Sequence, residues 1–496
     1  MANTRFGVGG CALLVVQLAV LIVSGPSAAE DKVVAAGKDE IEQCIERITN
    51  GLLPAIVMAD QLPMKLSARM TELNVPGVSV AVLHDGKIEW ARGFGSVSTG
   101  GPPVTPETLF QAGSISKPVS AIAALALVQA GKLDLDADVN TVLKSWKIPA
   151  NSYSEESKVT LRRLLSHSAG ISVHGFPGYA ADKLVPSLID VLNGTPPANT
   201  APIVVEYVPG SRFQYSGGGY TIMQQLLMDV TGRPLPDLVA DMVLKPFGMT
   251  NSSFVQPLPA EKAQAAATPY RGNGARVPGG PHTYPELAAA GLWTTPTDLA
   301  RFALALQDAW AGRKNPVLSQ AMTVQMLTPG LGDYGLSLVV KGSPPNRRFG
   351  HAGVNDGFVN LMTAFENGEG AVIMTNGARG GLLANEIMRR IATEYQWPAL
   401  QPKVRQRINV SAERLEQLVG TYEIAPKFRI RVSREGDRLF AQATGQERFE
   451  VFPESERDFF YTVVDAVLTF DADGPASATQ LILHQNGADR VAKRVP

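Results

Sequence analysis

Ser114 and Lys117 stand three residues apart in Gly113-Ser114-Ile115-Ser116-Lys117, directly before Pro118 and an apolar run over residues 121–130. On a helix that spacing puts both side chains on one face. Ser114 would then stand at the helix start, where unpaired N–H groups and the helix dipole favour a developing negative charge. A serine hydroxyl is a poor nucleophile without a base beside it, and a lysine kept neutral by burial or by a nearby cation can be that base. The pattern alone leaves a second reading open, with Ser114 as a helix cap and Lys117 as a solvated first-turn residue, because so short a motif also arises by chance.

Two more segments place polar groups on glycine-rich turns. In residues 209–220, Gly217-Gly218-Gly219 precede a helical run from Tyr220, and Tyr215 is free to point into a cleft. A phenol can relay a proton to a leaving group if nearby cations lower its pKa. The plainer alternative is a loop tyrosine half buried over the turn. In Phe349-Gly350-His351-Ala352-Gly353-Val354-Asn355, Gly353 would let a substrate lie along a strand edge, and the N–H of Val354 could face an oxyanion. Ser166-His167-Ser168-Ala169-Gly170 imitates a Gly-x-Ser-x-Gly nucleophile elbow. It lacks the first glycine and follows a helical rather than a strand pattern, so it reads as a helix-end turn.

The elements that must hold these groups show in the periodicity. Residues 77–83 and 87–93 alternate around Asp85-Gly86, a strong hairpin signal, and residues 358–365 and 370–375 form a second hairpin. Between them the pattern is helical over residues 118–130, 160–165, 220–230, 235–244 and 296–310. Strands at both ends of a helical middle imply an α+β domain whose sheet is closed by distant segments. After Trp397-Pro398 and a polar stretch, short apolar runs separated by turn residues indicate a small all-β barrel or sandwich, with a boundary near residue 403.

The three motif segments, in this order and with their flanks, resemble the serine hydrolases of the β-lactamase-related superfamily: class C β-lactamases, penicillin-binding carboxypeptidases, D-amino-acid peptidases and related esterases. The likeness extends to residues 75–82, 106–113, 164–170, 245–250 and 289–296, and so covers roughly residues 40–395. It implies an antiparallel sheet flanked by helices with an all-helical subdomain. It also implies Ser114 as acylated nucleophile, Lys117 as its base, Tyr215 as second proton-transfer group, and the N–H groups of Ser114 and Val354 as oxyanion hole. His351 and Gly353 take the third-motif position. Two departures matter. Gly217 stands where the family's Tyr-x-Asn has asparagine, and His351-Ala352-Gly353 replaces the Lys-Thr-Gly of true β-lactamases, with a cation only part of the time near pH 7. Leu418-Val419-Gly420-Thr421-Tyr422 resembles the start of the lipocalin-like β domains appended to some members. The expected layout is a signal peptide (1–29), a hydrolase domain (30–403) and a β domain (404–496).

Of 496 residues, 45% are hydrophobic and 18% charged, with 45 Lys plus Arg against 46 Asp plus Glu. That excludes disorder and leaves no positive excess to neutralise phosphates, so nucleic acid is not an expected partner. Arg5, the apolar stretch 11–23 and Ser27-Ala28-Ala29 read as a cleavable export signal rather than a stable membrane anchor, giving a periplasmic or secreted protein. Cleavage would leave Cys44 as the only cysteine, so neither a disulfide nor a thiolate metal site is expected, and no cofactor is. The expected activity is hydrolysis of an ester or amide on a small molecule or peptide. The alternatives are a D-stereospecific peptidase or carboxypeptidase on cell-wall peptides, a weak β-lactamase, and a catalytically silent peptide-binding member.

Overall fold

Asp85 and Gly86 both take left-handed backbone angles, φ 50° and 70°, which a primed two-residue hairpin turn requires. They join β1 (Gly77–His84) to β2 (Lys87–Gly95). From the far end of the chain come β3 (Val339–Lys341), β4 (Arg348–Asn355), β5 (Phe358–Phe365) and β6 (Gly370–Thr375). The six form one antiparallel sheet in the order β2-β1-β6-β5-β4-β3. β6 is buried along its whole length and β1 up to its last residue, so the sheet centre is covered on both faces. β3 pairs only with residues 348–350 of β4, so from His351 onward the outer edge of β4 has no strand beside it among the described residues.

The computed structural model describes residues 28–58, 62–471, 476–485 and 487–496, with side chains from residue 37 onward. Residues 1–27 of the expected signal segment lie outside the described residues. The chain divides into residues 1–46 and 47–496, and in the first a helix begins at Ala28. Among the described residues no helix is long and apolar enough to cross a membrane.

The helical middle supplies α1 (Ser116–Gln129), α2 (Gly217–Thr231) and α3 (Pro296–Trp310), and α4 (Gly380–Glu394) follows the sheet. Leu299 and Phe302 of α3 share one buried cluster with Val372 and Met374 of β6 and with α1. The expected helix over residues 235–244 changes to a wider π winding at Ala240. α2 begins at Gly217, three residues earlier than the pattern indicates. Ser216 caps it, its Oγ accepting the Gly219 N–H at 3.0 Å, and the glycines form the first turn. Gly217 and Gly218 are needed there, because a Cβ would sit 2.8 Å from the Phe176 ring on the first and 2.7 Å from the Ser172 carbonyl oxygen on the second.

Beyond residue 419 eight antiparallel strands, from Gly420–Ala425 to Ala488–Val495, close into a barrel rather than a sandwich. The short strand Lys403–Arg405 at the expected boundary pairs in parallel with Ile56–Met58. Ala55 and Ile56 pack on Phe460 of the barrel, so this stretch clamps the barrel to the rest of the unit.

Candidate active site

A turn of 3-10 helix, Gly113–Ile115, leads straight into α1 and carries Ser114. The Ser116 hydroxyl donates to the Gly113 carbonyl (2.6 Å) and accepts the Leu292 N–H (3.0 Å), which fixes that turn. Ser114 makes no capping bond, and Lys117 is only 2% exposed, so the solvated-lysine reading does not hold. Lys117 Nζ lies 3.0 Å from Ser114 Oγ and 2.9 Å from the carbonyl oxygen of Ala289. Burial pushes the Lys117 ammonium down to about 7, so near neutral pH a large fraction is the free amine, able to accept the Ser114 proton.

Tyr215 faces the same pair, with Lys117 Nζ 5.1 Å from its ring centroid. The expectation that a cation lowers this phenol is corrected: burial outweighs the Ser114 side chain beside it and pushes Tyr215 up to about 12. It therefore stays protonated, as a donor. His167 stacks on its ring at 4.1 Å, and the Ser216 N–H donates to His167 Nδ1 at 3.0 Å. Burial, first, and the Lys117 charge hold His167 well below its ordinary value, so it is a neutral brace. Ser168 bonds Ser166 in the turn after the helix Leu161–Leu165 and does not line the cleft.

Gly217 does not face substrate space. Its N–H donates to the His174 carbonyl at 3.0 Å, and a Cβ there would lie 2.8 Å from the Phe176 ring. The loop 172–176 thus occupies the room that an asparagine at 217 would need. It brings an exposed imidazole, His174, within 4.9 Å of the Tyr215 ring. Sequence reasoning missed His174; the only signal was a histidine beside Gly175 between the first two motifs.

On β4 the side chains alternate. His351 is buried: its Nδ1–H donates to the Ala352 carbonyl at 2.5 Å, and the Tyr334 hydroxyl donates to its Nε2 at 2.7 Å. Burial, and then the Lys117 charge, push it down to about 3. The part-time cation expected at this position is therefore corrected to a neutral imidazole. Gly353 is glycine because the protein's own backbone approaches it, a Cβ there falling 1.8 Å from the Ala112 carbonyl oxygen, and not to admit substrate. The same approach brings Val354 N to 2.5 Å from where a Cβ on Gly113 would be, so the backbone of Val354 meets the turn of Ser114. Asn355 Nδ2 donates to Gln111 Oε1 (3.0 Å) and the Ala290 carbonyl (3.1 Å), tying β4 to the segment that holds Lys117.

Ser114, Lys117, Tyr215, His351 and Val354 all line one cleft of about 640 Å³, together with His174, Phe176, Phe213, Asp333 and Lys341. That volume suits a small molecule or the end of a peptide. Gly217 and Gly353 lie behind its wall. No described barrel residue lines it.

A family model described as Beta-lactamase matches residues 64–393, and one described as Domain of unknown function (DUF3471) matches residues 404–492. The chain belongs to the beta-lactamase family. Among its relatives, a putative penicillin-binding protein PbpX of Bacillus subtilis (strain 168) is 26% identical over 340 residues, 66% of this chain and 78% of that protein. Esterase EstB of Burkholderia gladioli is 30% identical over 225 residues, 44% of this chain and 56% of that one. The octameric penicillin-binding protein homologue from Pyrococcus abyssi superposes with TM-score 0.58 at 23% identity, over 86% of this chain and 98% of that chain. As in the rest of the beta-lactamase family, the fold is α+β; here a closed barrel follows it.

Within this beta-lactamase-family cleft the pH dependence has a definite sign. The neutral form of Lys117 grows as pH rises through about 7, so kcat/KM should fall roughly tenfold per pH unit below that point and level off above it. Glu286, just before the helix that offers the Ala289 carbonyl, is also buried, and burial pushes it up to about 7. Glu286→Gln and His351→Gln should both leave the limb where it is. A limb that moves with either variant would take the titration away from Lys117.

Proposed function

We propose that the protein is an exported serine hydrolase that cleaves an ester or amide through an acyl-enzyme on Ser114. The observation that carries this is the buried Lys117 amine, 3.0 Å from Ser114 Oγ. Lys117 takes the hydroxyl proton as Oγ bonds to the carbonyl carbon, and the N–H groups of Ser114 and Val354 face the oxyanion. Tyr215, held protonated by burial, gives its proton to the leaving oxygen or nitrogen and is reprotonated from Lys117. Water then enters, loses its proton to the same groups, and releases the acid. His174 supplies the polar contact to substrate that asparagine would give at position 217. Labelling with a fluorophosphonate probe tests the reading: a silent, peptide-binding member would not react. Export rests on the sequence of the first 29 residues.

Lys341 favours a second substrate within the same chemistry, a peptide ending in a carboxylate. It lines the cleft on β3 and pairs in register with Arg348, three residues and roughly 10 Å along the strand from His351. Lys341→Ala should raise KM several-fold for a peptide whose terminal carboxylate lies about three residues beyond the scissile bond, and leave p-nitrophenyl acetate unchanged. Equal effects on both would remove this reading.

A further inference from the structure

The turn that imitates a nucleophile elbow meets the reactive centre through its histidine rather than through Ser168. His167 holds both neighbours of Tyr215: its carbonyl accepts the Gln214 N–H at 2.7 Å, and its Nδ1 accepts the Ser216 N–H at 3.0 Å. Its ring also lies on the phenol, with centroids 4.1 Å apart and planes tilted by 32°. The backbone of His167 is left-handed, φ 54°, a conformation that histidine and asparagine adopt more readily than most residues. Carbonyl and imidazole thereby reach the same stretch of chain.

Because Nδ1 accepts, the ring proton sits on Nε2. Nε2 is buried and has no hydrogen-bond partner among the described residues. The rings of Tyr334, Tyr220 and Phe213 stand around the imidazole, with centroids 4.8, 5.3 and 6.0 Å away. A second proton would put a charge in this aromatic box and turn Nδ1 from acceptor to donor, so the grip on Ser216 exists only while His167 is neutral. Burial, and then the Lys117 charge, favour that form. Ser216 has other anchors: its hydroxyl donates to the Ser172 carbonyl at 2.7 Å and accepts the Gly219 N–H at 3.0 Å. Helix α2 therefore keeps its cap if the imidazole is replaced, and what changes is where the Tyr215 phenol lies beside Ser114.

We propose that His167 is the positioning residue for Tyr215, a neutral imidazole that aims the phenol at the leaving group from behind the wall of the cleft. It does not line the cleft itself. This rests on the reading of Tyr215 as the group that protonates the leaving atom. Loss of His167 should then matter in proportion to the leaving group's need for a proton. p-Nitrophenolate departs without one, whereas an alkoxide requires it.

The test compares kcat/KM, which reports acylation, for p-nitrophenyl acetate and benzyl acetate on the full chain. His167→Phe keeps a ring and removes the acceptor; it should lose roughly 10- to 100-fold on benzyl acetate and less than about threefold on p-nitrophenyl acetate. Asparagine tolerates the left-handed backbone and offers Oδ1 near the place of Nδ1, so His167→Asn should recover most of the benzyl acetate activity. Tyr215→Phe should show the same bias more strongly. The inference alone is overturned if Tyr215→Phe is biased while folded His167→Phe loses equally on both esters or on neither, or if His167→Asn is as impaired as His167→Phe. An unbiased loss in Tyr215→Phe would remove the role given to Tyr215, and this inference with it. If His167→Phe does not fold, nitrogen NMR of the wild-type chain decides, with the ring signals assigned by their absence in His167→Asn. A proton on Nε2 alone is expected throughout about pH 5 to 8, and a proton on Nδ1, in the neutral or the charged ring, overturns the inference.

Discussion

Ser114→Ala is expected to abolish both covalent labelling by a fluorophosphonate and all measurable ester turnover, since an acyl-enzyme needs one nucleophilic hydroxyl and only Ser114 has the buried amine of Lys117 beside it. Lys117→Ala should lose about 10² to 10⁴-fold in kcat, the usual size of a general-base contribution, while melting stays cooperative. Mass spectrometry of the labelled peptide is the direct check. Turnover surviving in Ser114→Ala but lost in Ser168→Ala would relocate the nucleophile to the turn braced by Ser166.

The second large effect is on substrate choice. A β-lactam carries its carboxylate close to the reactive ring and needs a cation and a hydroxyl on β4. Here His351 is held neutral by burial, its two nitrogens are taken by Tyr334 and Ala352, and the next residue is alanine. Each charge-assisted hydrogen bond is worth roughly 1.5–3 kcal/mol, so two missing ones correspond to roughly 10² to 10⁴-fold. Short-chain p-nitrophenyl esters should therefore exceed nitrocefin in kcat/KM by at least that range. Lys341 is too far along the strand to restore the loss for so compact a ring. Comparable kcat/KM values for the two substrates would show that some other group holds the carboxylate.

The parts of the fold that sequence made legible are those fixed by local chemistry. Asp85-Gly86 carries its own turn geometry, the alternation around it defines the hairpin, and the even spacing of short apolar runs after residue 419 defines the barrel strands. The early start of α2 was hidden because three glycines argue against helix; the loop 172–176, which leaves no room for a Cβ on Gly217 or Gly218, is not visible from the local sequence. The neutrality of His351 comes from burial and then from the charge of Lys117, which stands on an element far away in the chain. Ser114 and Lys117 were readable as a pair, but the burial that makes Lys117 a usable base comes from segments up to 172 residues away. His174 carries no motif at all and matters only through its place beside Tyr215.

The position of β1 inside the sheet, between β2 and β6, governs how the molecule can fold. β1 has β2 on one side from the start, but its other neighbour is β6, and the Gly77 N–H closes on Asn376 Oδ1 across 299 residues. Joining points so far apart costs on the order of 5 kcal/mol of chain entropy before any strand contact offsets it. At ordinary synthesis rates roughly 15 to 60 s separate the appearance of the two strands. The helices between them have local contacts and can form during that interval, whereas β4 and the turn of Ser114 meet only once the sheet closes. The reactive centre therefore awaits closure of the sheet, and any chain stopped short of β6 would hold the serine and the lysine without the closed sheet that sets β4 against them.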